Sequence, residues 1–219
     1  MNSTKDIKLH DKIASEYDSL AKKYNSHIHE LLFGMCFKYV KPGDSLLDLW
    51  IGTGLSSFLF AKAGLNITGL DGSVEMLKEC KKKGISKEIK QYNIQDVPLP
   101  YSDNIFSHIV CCGVFHSFGD LLPITKEAYR ILRPGGIFAF TIILLTVKDA
   151  GFNCESMPEY IESSSAWDTP FFKHSDKYIN GIARELCFTI QKEQKVLSDS
   201  GDKDIGDVLF KIIVMQKGL

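Results

Sequence analysis

The stretch LLDLWIGTGLSS, residues 46–57, holds the residues best placed to do chemistry. An apolar run containing Asp48 leads into Gly52-Thr53-Gly54, and a helix-like pattern follows. A glycine turn between strand and helix lets a ligand approach the backbone. The helix adds free N–H groups and the positive end of its dipole, so a carboxylate or a phosphate would suit the place equally well. A glycine pair of this kind also occurs as a plain tight turn. Asp71 stands 17 residues beyond Gly54, where a carboxylate accepts hydrogen bonds from a ribose diol; it could equally cap the helix that starts near Ser73. Asp96, in QDVPLP, could grip an adenine edge together with the next backbone amide, that of Val97, or serve as a turn carboxylate. His116, in GVFHSFGD, is the candidate general base, since a neutral imidazole near pH 7 accepts a proton; it also suits the wall of a pocket.

These residues need a frame, and the hydrophobic pattern supplies one. Apolar residues at helical spacing (Ile13, Tyr17 and Leu20, then Ile28, Leu31, Leu32 and Met35) predict helices before residue 40, broken at YNSH. Strands are expected at 45–49, 66–70, 87–94, 106–113 and 136–145. Helices fall between them, one with Ser73 as its N-cap and Gly84 as its stop. The strand FSHIVCCG is nearly all apolar, as a central parallel strand should be. This alternation predicts a doubly wound, Rossmann-like α/β sheet. After it come a long irregular connection, a helix near 175–186, and two strands, FTIQKEQKVL and DVLFKIIVMQK, joined as a hairpin. The expected organisation is a single domain over 1–219. It comprises an N-terminal helical cap (1–40), a core (41–145), and an acceptor-side segment with the last strands (146–219).

Composition excludes several functions. A net charge of -1 and the absence of a basic patch argue against nucleic-acid partners. The lysines of CKKKGISKEIK read as a solvated helix face. The longest apolar run is too short to span a bilayer and the first residues hold no signal core, so a cytoplasmic location without membrane attachment is expected. The six cysteines form no C-x-x-C pair and read as buried free thiols. A monomer or homodimer is expected.

In combination the motifs are specific. LLDLWIGTG, ITGLDGSVEMLKEC, NIQDVPLPYSDNIFSHIVCCGVFHSF and EAYRILRPGGIFAFT, in this order and preceded by IASEYDSLAKKY, resemble a class I S-adenosylmethionine-dependent methyltransferase. The likeness is to the small-molecule group that includes the ubiquinone/menaquinone-biosynthesis type, over roughly residues 10–145. The resemblance implies a seven-stranded, mostly parallel sheet with an antiparallel last strand. It also implies S-adenosylmethionine as cofactor and a small-molecule acceptor. The cofactor would be held by Tyr17, Asp48, Gly52, Thr53, Gly54, Asp71, Gly72, Met76, Asp96, Val97 and Cys112. Among these, Asp48 resembles the acid that steadies the loop amides, and Tyr17, like Tyr24, lies on helices that resemble the family's lid. The acceptor pocket would draw on Phe152, Tyr160, Trp167 and Phe171. Two other readings stand beside this one: a non-catalytic cofactor binder, and a nicotinamide-dependent oxidoreductase, which would want a third glycine where Ser57 stands.

Trp50 departs from the pattern, because the family usually has glycine there. Counted along a strand, residues 48 and 50 share a side, so the indole is expected near Asp48. It would pack beneath the N-terminal helices near Tyr17 or Tyr24, narrow the place of the methionine moiety, or face a sulfonium. The second is the favoured expectation.

Overall fold

In the computed structural model, residues 3–24, 26–150, 157–164, 170–199 and 207–219 are described. Three helices come first: α1 (Ser3–Ile13), α2 (Tyr17–Lys23) and α3 (Ile28–Cys36). The core alternates β1 (Ser45–Leu49), α4 (Leu55–Lys62), β2 (Asn66–Asp71), α5 (Val74–Lys83), β3 (Glu88–Gln91), β4 (Phe106–Cys111), α6 (Leu122–Ile131) and β5 (Leu132–Leu144). Then follow α7 (Val147–Ala150), β6 (Tyr160–Ser164), β7 (Pro170–His174), α8 (Asp176–Glu185), β8 (Phe188–Asp199) and β9 (Asp207–Lys217). Strands β1 to β5 run parallel in the order β3-β2-β1-β4-β5. The last strand, β9, is antiparallel to both β5 and β8. This is the expected doubly wound, Rossmann-like sheet with its antiparallel last strand.

The period-two alternation of apolar residues builds a core on each face of this sheet. Leu47, Leu49, Leu70, Ile109, Phe138 and Phe140 pack on one side. Leu46, Ile67, Val110, Ile137, Ala139 and Val214 pack on the other. Each fully buried side chain of this size contributes about 1.5–3 kcal/mol. α5 keeps its predicted punctuation: the Ser73 hydroxyl accepts from the Met76 amide at 3.1 Å, and Gly84 stops the helix at φ +60°.

Three expectations change. The sheet carries two strands beyond the predicted seven, because β6 and β7 pair as a hairpin and β7 joins the end of β5. The serine-rich composition of this stretch hid the hairpin. It is anchored by Tyr160 and Phe172, which close over Gly119 so tightly that a Cβ there would lie 2.7 Å from Tyr160. Tyr160 therefore packs into the fold, while Phe171 lies beneath the Lys173 ammonium, 5.9 Å from its ring. Phe152 and Trp167 fall outside the described residues. Second, the helix predicted through Ile13, Tyr17 and Leu20 is two helices, turning where Ala14 enters the interior at 5 % exposure. Third, among the described cysteines Cys187 is exposed and Cys112 half-buried, whereas Cys36, Cys80 and Cys111 are buried free thiols as expected. Among the described residues no helix is long and apolar enough to cross a membrane.

The order of strands reverses at β1, which lies between β2 and β4, and the crevice beyond its carboxyl end is where such sheets bind ligands. Asp48 fixes β1 to α4 there. One of its oxygens accepts from both the Ser56 and Ser57 hydroxyls at 2.6 Å, while Oδ1 is buried with no partner among the described residues. Burial pushes this carboxyl up to about 6, against the pull of the two serine bonds. A folded-state pKa above the unfolded value means that ionising Asp48 erodes stability as pH rises from about 4 to 6. Asp48→Asn should therefore gain melting temperature relative to the wild type between pH 4 and pH 7. A relative loss over that interval, followed by thermal denaturation, would contradict the assignment.

Candidate active site

The glycine turn is held by two backbone bonds made just after Trp50. The Ile51 amide donates to Leu70 O at 2.7 Å, which keeps the chain beside β2, and the Gly54 amide donates back to Ile51 O at 2.8 Å. Gly54 begins α4 at φ +89°, and a Cβ there would lie 2.7 Å from the Ile85 Cδ1 atom, so both backbone and space demand glycine. Gly52 is also left-handed, at φ +55°, with nothing within 4 Å of its Cβ position.

Asp71 organises this turn. It is fully buried. One oxygen accepts from the Gly52 amide and the other from the Ser73 amide, each at 2.7 Å, so a single carboxylate joins the turn to the head of α5. Burial, the larger effect, raises it to about 7 despite these two bonds. Asp71 thus steadies the loop amide, a role expected of Asp48, whose partners are hydroxyls on α4. The difference follows from strand direction: Asp48 faces the α4 side of the sheet, whereas Asp71 ends β2 beside the turn.

Trp50 also departs from expectation. It adopts φ +67°, a conformation that costs a side-chain-bearing residue about 1–2 kcal/mol. A left-handed residue breaks the two-residue alternation, so the indole joins the layer of Leu47 and Leu49, away from Asp48. It is 8 % exposed and lies 5.6 Å from the Phe118 ring and 6.5 Å from His10. Burying an indole yields about 4 kcal/mol or more, which outweighs the strain. Of the expected resting places, the indole occupies the one beneath the N-terminal helices, against His10 of α1; His10 in turn lies 6.2 Å from Tyr17.

The N-terminal helices supply residues that the sequence did not single out. Ile7 of α1 fills the space over Gly72, where a Cβ would lie 2.6 Å from its Cδ1 atom. Asp11 accepts from the Ser73 hydroxyl at 2.5 Å and lies 3.4 Å from the Glu75 amide, at the head of α5. Asp18 of α2 accepts from the Thr53 hydroxyl at 2.6 Å and pairs with the Lys83 ammonium at 2.5 Å. Lys83 is thus drawn inward, while Lys78 and Lys82 remain on the solvated face with glutamate partners. Asp18 lies within IASEYDSLAKKY, beside Tyr17; Ile7, Asp11, His10 and Phe118 had no such signal. Tyr17 is pushed up to about 12 by burial, then by Cys112 and Asp71. Met76 is buried in α5. Asp96 and Val97 are exposed on the loop after β3 and are not drawn into this cluster. Tyr24 is half-buried beneath the Lys23 ammonium, 5.3 Å from its ring.

His116 lies in a 3-10 turn, Phe115–Ser117, just past β4. Burial lowers its pKa to about 4, with His10 and His174 acting in the same direction. His174, on β7, is fully buried, bonds Gly119 O at 2.9 Å and stacks on Tyr178 at 5.9 Å.

A family model described as a methyltransferase domain matches residues 47–140. The demethylmenaquinone methyltransferase of Listeria welshimeri is 30% identical over 152 residues, which is 64% of each chain. The chain thus spans slightly less than two thirds of the length of this curated relative. Among solved structures, an S-adenosylmethionine-dependent methyltransferase from Methanosarcina mazei superposes with TM-score 0.67 at 21% identity, covering 84% of this chain and 97% of the other. The 1,6-didemethyltoxoflavin-N1-methyltransferase of Burkholderia thailandensis, with bound 1,6-didemethyltoxoflavin and S-adenosylhomocysteine, gives 0.68 at 13% identity, covering 96% and 88%. At these identities the structural likeness is one of fold. With the sheet order, the glycine turn and the acid that closes β2, these relationships show a chain with the fold of S-adenosylmethionine-dependent methyltransferases, homologous over the matched residues to the demethylmenaquinone methyltransferases.

Proposed function

We propose that the chain is an S-adenosylmethionine-dependent methyltransferase acting on a small-molecule acceptor. The observation that carries this reading is the Asp71 carboxylate at the end of β2, bonded to the glycine turn at the switch point of the sheet. The local chemistry fits an adenosyl ligand. Each Asp71 oxygen accepts one backbone bond and keeps lone pairs for a ribose diol. Space is open beyond Gly52. The buried Oδ1 of Asp48 is an acceptor without a partner among the described residues, suited to an amino group. Gly54, Thr53, Gly72, Met76, Tyr17 and Cys112 would line the rest of the ligand, and Asp96 and Val97 would complete the site from the exposed loop after β3.

When bound, the cofactor supplies a methyl group on a sulfonium that is already activated, so the protein's task is alignment and exclusion of water. Tyr17, Trp50 and Phe118 provide the dry wall. His116, unprotonated throughout the neutral range, would take a proton at its ring nitrogen from an acceptor that must lose one. The homologous relatives are demethylmenaquinone methyltransferases by name, and the Burkholderia enzyme holds 1,6-didemethyltoxoflavin; both support a small-molecule acceptor here. The nicotinamide reading loses ground, because the residue at the third glycine place, Ser57, is committed to Asp48.

Trp50 favours one second reading, a cofactor binder with weak or no turnover, since a buried indole in left-handed conformation stands where the family keeps glycine. Calorimetric titration with S-adenosylmethionine, S-adenosylhomocysteine and NAD separates these functions: the proposal expects the two adenosyl ligands to bind and NAD not to. On that second reading Trp50→Gly should tighten S-adenosylmethionine binding several-fold. Trp50→Gly should also lower stability by about 1–4 kcal/mol, because the lost burial of about 3–5 kcal/mol exceeds the relieved strain of about 1–2. Equal or weaker binding by the variant would make Trp50 a harmless wall or a true contact.

For an acceptor that loses a proton, His116→Gln should reduce turnover by about 10²–10⁴-fold with cofactor affinity unchanged. Because the imidazole must be unprotonated and titrates near 4, the acid limb of the wild-type rate profile should lie near pH 4. A limb near 6.5, or a loss below about threefold, would remove His116 from the chemistry.

A further inference from the structure

The residues over the cleft do more than cover it. Ile7 lies against Gly72, the residue after Asp71, and takes the space directly above the backbone there. That is the ground an adenosine bonded to Asp71 would need. The same helix places Asp11 on the Ser73 hydroxyl and near the Glu75 amide, so α1 is fastened by a polar contact at the first turn of α5. Its His10 rests against Trp50. α2 is fastened separately by Asp18, through the Thr53 hydroxyl and the Lys83 ammonium. The two helices are thus held at distinct points, and only α1 inserts a side chain over Gly72.

We propose that α1 is an autoinhibitory plug: Ile7 and an adenosyl ligand compete for the space over Gly72, so binding lifts α1 from α5 while Asp18 keeps α2 on the glycine turn. This inference rests on the proposed cofactor site. It makes affinity a property of helix docking as well as of the site, since the free energy that seats α1 is subtracted from that of the ligand. Residues that hold α1 down thereby oppose ligand binding without touching the reacting atoms.

The test uses the full chain and S-adenosylhomocysteine as probe. Ile7→Ala and Asp11→Asn loosen α1 without disturbing the sheet. Each should tighten the calorimetric dissociation constant, by about three- to tenfold for Ile7→Ala. In the wild type, amide hydrogen exchange over residues 3–13 should quicken when the probe is added. Weaker or unchanged binding by both variants, or slower exchange in α1 on binding, would overturn the plug and make α1 a wall over the ligand, leaving the methyltransferase reading intact. No binding by the wild type or either variant would overturn the functional reading and the plug together.

Discussion

The buried Asp71 carboxylate is the constraint on which the site depends. It lies where three elements meet: the end of β2, the turn after β1 and the start of α5. By accepting one amide from Gly52 and one from Ser73, it fixes the turn relative to the helix. Burying a carboxylate is costly unless it is well bonded, and its pKa of about 7 records that tension. The glycine turn cannot be moved without leaving that charge uncompensated. A group held in this way keeps its remaining lone pairs in a fixed direction, which is what recognition of a diol requires.

Trp50 is the point where stability and ligand space compete. Its left-handed backbone is strained, and the strain is offset by burial of the indole against Phe118 and His10. A glycine would satisfy the backbone and leave a hole; tryptophan fills the hole and gives α1 something to rest on. The residue thus couples the turn to the N-terminal helices. Asp48 and its serines hold the opposite side of the same turn, so the loop is clamped from both faces of the sheet.

Much of this frame was legible in the sequence, because it rests on local rules. The strands alternate apolar residues to two faces, Ser73 and Gly84 bracket α5, and Gly52 and Gly54 mark a tight turn. What was not legible is long-range. Tyr160 and Phe172 form a hairpin because Gly119, distant in sequence, leaves room for them. The direction of the Trp50 indole depends on a positive φ that overrides strand alternation. Ile7 and Asp11 lie on a polar helix whose pattern marks a face without saying what the face meets. From its sequence context Asp71 suits a ribose acid or a helix cap, and its place between two backbone amides reflects the meeting of both elements in space.

The most direct test follows the backbone amide resonances of Gly52 and Ser73 while S-adenosylhomocysteine is titrated into the full chain. Their bonds to Asp71 are the ones a ribose diol would share. The account predicts that both amides shift together, saturating with the same dissociation constant as the bulk binding signal. Saturable binding that leaves both amides unmoved would place the ligand elsewhere and contradict the central role given to Asp71.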